Sequence, residues 1–255
     1  MTRVSVVTGA ASGIGKATAE LLRSRGEKVI GVDLRGTDVD ADLSSDAGLA
    51  AMVEAVTEAS GGAIDAVFGI AGLAHDKAMT VNVNYFGMIG TLVGLRPLLL
   101  KSDAPRAVAI ASMASLNPVD DELVALMAAN DRAGAYARAE ALEGQNLIYA
   151  STKQAFAKWI RRTAPTADWA GASIPLNAVA PGVIRTPMTA DMIATEEATK
   201  QLLELVPMPL NGVAEPIVVA RLLCWLASAE NTHLCGQVVF VDGGSDVVIR
   251  GDSTW

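Results

Sequence analysis

The chain has 255 residues, 51% of them hydrophobic and 4% aromatic, with 20 Lys and Arg against 28 Asp and Glu and a net charge of −8. A chain of this length buries roughly three-quarters of its unfolded surface in one core, and an acidic surface with no Lys/Arg cluster argues against a nucleic-acid partner. Cys224 and Cys235 have neither metal-ligand spacing nor neighbouring histidines, so neither a metal site nor a disulfide framework is expected, and free thiols fit a cytoplasmic location.

In chain order, Val4 to Thr8 reads as a short strand, preceded by too few residues for a signal peptide. Gly13 to Arg25 has helical spacing, with Ala17, Leu21 and Leu22 on one face, and Gly26 ends it. Lys28 to Val32 is a strand closed by Asp33, and Ala47 to Ala59 is a helix stopped by Gly61-Gly62. Ala66 to Ile70 is a strand. Val81 to Leu100 predicts a helix bent or ended near Pro97. It contains Asn82, Asn84, Arg96 and several glycines, so it is read as buried rather than membrane-spanning. The remaining expected elements are strand Ala107 to Ala111, helix Leu147 to Thr163, strand Leu176 to Ala180, helix Pro216 to Leu226 and strand Gln237 to Val241. Alternation of short apolar strands with helices predicts an α/β, single-domain, Rossmann-like doubly wound parallel sheet with helices on both faces.

Between the first strand and first helix lies Gly9-Ala10-Ala11-Ser12-Gly13-Ile14-Gly15. A sharp turn, close approach of a pyrophosphate and tight helix-on-strand packing all favour residues without side chains. The helix N-terminus then offers unpaired N–H groups to the phosphates. Asp33, with Leu34 beside it, ends the second strand, where a carboxylate accepts from ribose hydroxyls and repels a 2′-phosphate. This favours NAD over NADP, although Arg35 is close enough in sequence to hold a phosphate. Asp42-Leu43 falls at a loop position suited to adenine.

Tyr149 and Lys153 lie one helical turn apart on one face. An ammonium and an oxidised nicotinamide beside the phenol are expected to lower its pKa toward neutrality. Ser112 follows a strand, where a hydroxyl can steady a substrate oxygen, and Ser115 is a rival in the same segment.

Taken together, the glycine pattern of Thr8 to Gly15, the Tyr149/Lys153 pair and the serine after a strand resemble the short-chain dehydrogenase/reductase family from Val4 to about Gly244. The resemblance implies an NAD-dependent alcohol/ketone oxidoreductase with Ser112, Tyr149 and Lys153 as its triad. It adds Asn84 as a fourth catalytic residue that positions the lysine through a water. It also assigns Ala71-Gly72 to the coenzyme turn, and Pro181, Gly182, Val183, Ile184 and Thr186 to the segment holding the nicotinamide carboxamide. Ile70 departs from the family's asparagine, a difference expected to concern sheet support. The resemblance further implies a homodimer or homotetramer.

Residues 116–146 are longer than the family spacing and predict one or two extra helices, with Asp120 or Asp121 in a first turn and Gly134 and Gly144 as breaks. This insertion resembles that of bacterial 3α-hydroxysteroid dehydrogenase/carbonyl reductases, which implies a hydroxysteroid or another hydrophobic carbonyl compound as substrate. Small aryl or aliphatic ketones are the alternative. The insertion can serve as a substrate-pocket wall, a subunit contact or a solvated hairpin. Residues 187–210 correspond to the family's substrate lid, and Met113, Met188 and Met192 join Ser112 and Tyr149 as candidate substrate contacts. The segment Ile249 to Trp255 can fold over the pocket or reach a neighbouring subunit. A dinucleotide-sensing regulatory protein without turnover is the non-enzymatic alternative, and a nucleotide-sugar epimerase is disfavoured by the glycine spacing.

Overall fold

The computed structural model describes residues 2–253; Thr254 and Trp255, which close the C-terminal segment considered above, lie outside them. Seven strands form one sheet: β1 Val4–Thr8, β2 Lys28–Asp33, β3 Val39–Asp40, β4 Ala66–Gly69, β5 Arg106–Ile110, β6 Leu176–Pro181 and β7 Val238–Val241. Their order is β3-β2-β1-β4-β5-β6-β7 and every pairing is parallel. The chain therefore winds outward in both directions from β1. The carboxyl ends of β1 and β4 flank the switch point, where an open α/β sheet leaves a crevice.

Side-chain alternation along the strands sorts two cores onto opposite faces. Val7, Phe68, Val108, Ile110 and Val179 pack with α1 (Gly13–Ser24) and α9 (Pro216–Leu226). Val6, Val67, Ala107, Ala109, Ala178 and Ala180 pack with α2 (Asp46–Ser60), α4 (Met88–Leu99) and α7 (Ile148–Thr163). On β5 and β6 the second face is mostly alanine, with Leu176 at the start of β6. Small residues there let α7, which carries Tyr149 and Lys153, lie close to the sheet.

Several details depart from the expected elements. The helix expected over Val81 to Leu100 starts earlier, at α3 (Met79–Val81), and passes through a π-helical segment, Asn82–Gly87, before α4. Pro97 lies inside α4, which ends two residues later at Leu99. Val93, whose carbonyl loses its partner to that proline, is on the exposed side of the helix, where water can serve it. Two-residue β3, α8 (Glu196–Leu205) and α10 (Ser245–Arg250) were not among the expected elements, although Thr195 with Glu196 and Glu197 after it marks the start of α8.

The insertion folds as two helices, α5 (Asp121–Ala128) and α6 (Arg132–Leu142). Gly134 does not break α6; its N–H donates to the N-cap Asp131. The break falls instead at Asn130, with a left-handed φ of 59°, while Gly144 at φ 87° follows the end of α6.

Asp120 caps α5 by accepting from the Leu123 N–H at 2.7 Å, and pairs with Arg138 of α6 at 3.0 and 2.5 Å. Hydrogen bonding from Arg138 holds its carboxyl below the unfolded value of 3.8. Removing a cap costs about 1 kcal/mol, and losing a partly exposed bidentate pair adds about as much. Asp120→Ala is therefore expected to lower Tm by roughly 4–8 °C. Because the carboxyl is depressed in the folded state, that stabilisation is complete above the unfolded pKa and disappears as pH falls through the folded one. Calorimetry at pH 7 and pH 3 should show the gap to wild type closing in acid.

Candidate active site

A cleft of about 490 Å³ opens over the carboxyl ends of β1, β2, β4, β5 and β6. Its floor at β1 is the glycine loop. A Cβ at Gly15 would fall 2.0 Å from the Gly9 carbonyl oxygen, and one at Gly9 would fall 3.0 Å from the Ala71 nitrogen. Both positions therefore require glycine by contact, and Gly9 also by its φ of 70°. Ser12 begins α1 without a side-chain cap, and Ser12, Gly13, Ile14 and Gly15 line the cleft. The first N–H groups of a twelve-residue helix thus face an open space that fits an anion.

Asp33 is held between this loop and its own strand, accepting from Ala11 N–H at 3.0 Å and Leu34 N–H at 2.7 Å. Its carboxylate keeps lone pairs for a ribose and is aimed by the backbone rather than by a counter-ion. Asp42, Leu43 and Ser44 continue the wall beyond it. Hydrogen bonds with Ser44 hold the Asp42 carboxyl below its ordinary value.

At the other end, Tyr149 and Lys153 of α7 and Ser112 after β5 line the same cleft. The Lys153 ammonium donates to the Ile110 carbonyl at 3.2 Å and lies 5.7 Å from the Tyr149 ring centroid. Lys153 is 3% exposed, and burial alone brings its ammonium down to about 8. Burial pushes the Tyr149 phenol up, and the adjacent Ser112 hydroxyl works against that. In the protein by itself the phenol is therefore raised rather than acidified; the expected lowering applies to a phenol beside both the ammonium and an oxidised nicotinamide. Ser112 accepts from the Ala114 N–H at 3.1 Å, starting a short 3₁₀ turn (Met113–Leu116). Its rival Ser115 is not on the cleft wall.

Asn84 sits in the π-helical segment, fully buried. Its side chain exchanges two 2.8 Å hydrogen bonds with the backbone of Leu73 and reaches Thr152 Oγ1 at 3.4 Å. It thus secures the Ala71-Gly72-Leu73 turn and touches the residue before Lys153.

Six expected residues lie off the cleft wall. Ala11 contributes its N–H to Asp33. Gly182 packs against Met208, where a Cβ would come within 2.9 Å of the sulfur. Val183 joins Met208 and Ile193 in a small separate core. Asn84 stands behind the turn it holds, Met113 is buried and Met192 faces solvent. Pro181, Ile184, Thr186 and Met188 do line the cleft.

Sequence reasoning missed Leu73, Met79 and Val83, which give the cleft an apolar wall, and also Thr8. The Thr8 hydroxyl accepts from the Ile70 and Ala71 N–H groups at 2.9 and 3.0 Å. It thereby ties β1 to the turn where Ile70 departs from the family pattern. A hydroxyl ending an apolar strand was the available signal.

A parallel sheet with a phosphate-ready helix N-terminus, facing a Tyr–Lys pair across one cleft, defines a nucleotide-binding oxidoreductase. Residues 3–124 match the family described as short chain dehydrogenase, and residues 132–246 that described as enoyl-(acyl carrier protein) reductase. The chain is 32% identical to the 3-alpha-hydroxysteroid dehydrogenase/carbonyl reductase of Comamonas testosteroni, over 97% of this chain and 98% of that one. It is 30% identical to the cis-4-hydroxycyclohexanecarboxylate dehydrogenase of Sinomonas cyclohexanicum, over 96% and 97%. The crystal structure of the 3-alpha-hydroxysteroid dehydrogenase from Pseudomonas sp. B-0831 complexed with NADH superimposes with a TM-score of 0.90 at 37% identity, covering 98% of this chain and 99% of that one. The chain belongs to the short-chain dehydrogenase/reductase family and is an oxidoreductase. Among the described residues, no helix is long and apolar enough to cross a membrane.

Proposed function

We propose that the protein interconverts a secondary alcohol and a ketone with NAD(H), acting on a hydroxysteroid or a similarly hydrophobic carbonyl compound. The observation that carries this reading is that Ser112, Tyr149 and Lys153 share one cleft with the uncapped start of α1 and with Asp33. The relatives named for hydroxysteroids, and the neighbour complexed with NADH, support the coenzyme and the substrate class. Leu73, Met79, Val83 and Met188 supply an apolar wall for such a substrate.

In this reading α1's N-terminus holds the pyrophosphate, Asp33 the adenosine ribose, and Pro181, Ile184 and Thr186 flank the nicotinamide. When bound, the nicotinamide supplies the hydride acceptor or donor and, oxidised, a positive charge beside the phenol. Ser112 donates to the substrate oxygen. Tyr149 takes the hydroxyl proton during oxidation and returns it during reduction. Lys153 keeps a cation next to the phenol and a donor toward the coenzyme ribose. Residues 187–210 form a movable substrate cover; none of the ten residues of α8 within it is buried.

The test is a screen of NAD⁺ and NADP⁺ reduction across sterols, aryl alcohols and aliphatic secondary alcohols. NAD⁺-linked oxidation of a hydroxysteroid supports the reading, and no turnover with any secondary alcohol removes it. Asp33→Asn keeps the hydrogen-bonding shape and removes the charge. Two like charges about 6 Å apart at an effective dielectric of about 40 repel by ~1.4 kcal/mol, a factor of about ten. The NADP⁺/NAD⁺ ratio of kcat/KM should therefore rise at least about tenfold in this variant.

A further inference from the structure

The polar contacts of the insertion run to the borders of the cleft. Arg132, the first residue of α6, donates from Nε to Asn82 Oδ1 at 3.0 Å. Its terminal nitrogens donate to Asp46 and to the Ser44 carbonyl, and its guanidinium lies 5.4 Å from the Phe86 ring centroid. At the far end of α6, Glu143 pairs with Lys77 at 2.8 Å and accepts from the Ala78 N–H at 3.0 Å. One hairpin is thus fastened both to the Ser44 loop and to the segment just before Met79, and Ser44 and Met79 both line the cleft.

The loop Asp42–Ser44 has little freedom except where Arg132 meets it. A Cβ at Gly48 would fall 1.9 Å from the Asp42 carbonyl oxygen, and one at Gly87 would fall 2.3 Å from that of Leu43. Those two carbonyls are seated against α2 and the π-helical segment. The next carbonyl, Ser44, is held by Arg132 from a third element. The Asp46 carboxylate is 90% exposed, so that ion pair contributes little. The partly buried bonds to Ser44 and Asn82 are the ones that fix the loop.

We infer that Arg132 is a positioning residue for the adenosine half of the dinucleotide, and that the insertion braces the coenzyme cleft through it. This rests on the proposal that Asp33 and Asp42–Ser44 border the adenosine. The hairpin then has a role in coenzyme affinity whether or not it also shapes the substrate pocket.

The experiment compares wild type, Arg132→Met and Arg132→Lys by fluorescence titration with NADH and calorimetric titration with ADP-ribose, which lacks the nicotinamide, alongside Tm. Arg132→Met should weaken both ligands by the same factor of about ten, equivalent to ~1.4 kcal/mol. Arg132→Lys, able to replace only part of the fork, should fall between. Turnover at saturating NAD⁺, with an alcohol found active in the screen, should stay within about twofold. Unchanged affinity in either folded variant, when wild type binds NADH, overturns the inference alone. So does a loss confined to NADH, or a loss of turnover at unchanged affinity. Absence of NADH uptake by wild type overturns the proposed function and this inference with it. Should Arg132→Met not fold, Arg132→Lys alone decides: a loss shared by both ligands supports the brace.

Discussion

Tyr149→Phe is expected to lower turnover by about a thousandfold while leaving NADH affinity within about threefold. The substitution removes one oxygen from a half-buried ring and leaves the cleft shape intact. The only function lost is delivery and removal of a proton, a contribution of roughly 10²–10⁴ in general acid–base catalysis. Because burial raises the phenol in the protein alone, the tyrosine is protonated at neutral pH and is ready to act as an acid. The reductive direction should therefore be insensitive to pH from 6 to 7, below the range in which Lys153 titrates. Oxidation, which needs the phenolate, should rise with pH. The profile of kcat/KM for NAD⁺, which reports the protein before coenzyme binds, should climb to higher pH than the profile of kcat, which reports the loaded complex. Stopped-flow turnover and NADH fluorescence titration check both parts. A variant retaining more than a tenth of wild-type turnover would remove Tyr149 from the proton path. A dinucleotide sensor without turnover would have no such loss to show.

The order of strands and helices was legible because a fully covered parallel sheet imposes short apolar runs bounded by turns, and β1, β2 and α9 fall within a residue of the expected bounds. The glycine loop was legible for a related reason: Gly9 and Gly15 are required by backbone contacts only a few residues away in sequence or across one sheet pairing. What escaped was set by distant partners. The π-helical turn at Asn82–Gly87 has no composition of its own, and its value lies in Asn84 meeting Leu73. Thr8 became a hub only because β4 ends beside it. Met113 and Met192 were candidates for their side-chain chemistry, whereas position on short local helical turns decides which methionines border the cleft. Met188 and Met79 do, and these two do not. The burial that raises the tyrosine in the protein alone was out of reach for the same reason. Charge proximity can be read from an i, i+4 spacing, but the desolvation of both partners cannot.

That desolvation sets up the second large effect. Lys153→Met should abolish measurable turnover and yet make the protein more stable at pH 7. Lys153 is almost wholly buried and donates to the Ile110 carbonyl, and among the described residues it forms no salt bridge. Burial lowers its pKa from 10.5 to about 8. Below pH 8 both folded and unfolded chains carry the proton, and the folded chain bears the full desolvation cost. Between about 8 and 10.5 the folded chain has released the proton while the unfolded chain still holds it, so wild-type stability rises with pH through that window. A shift of this size corresponds to about 3 kcal/mol. Loss of the hydrogen bond to Ile110 offsets about 1 kcal/mol. Methionine, an unbranched apolar side chain of similar length, fills the space with little repacking. The net gain at pH 7 is thus about 2 kcal/mol. Urea denaturation at pH 7 and pH 9.5 should show the variant ahead at the first and the gap narrowed by roughly 2 kcal/mol at the second. If the variant were less stable than wild type at both values, the ammonium would be a structural support rather than a group held at a cost in stability for the sake of its charge. The proton-relay role assigned to the Tyr149/Lys153 pair would then lose its energetic signature.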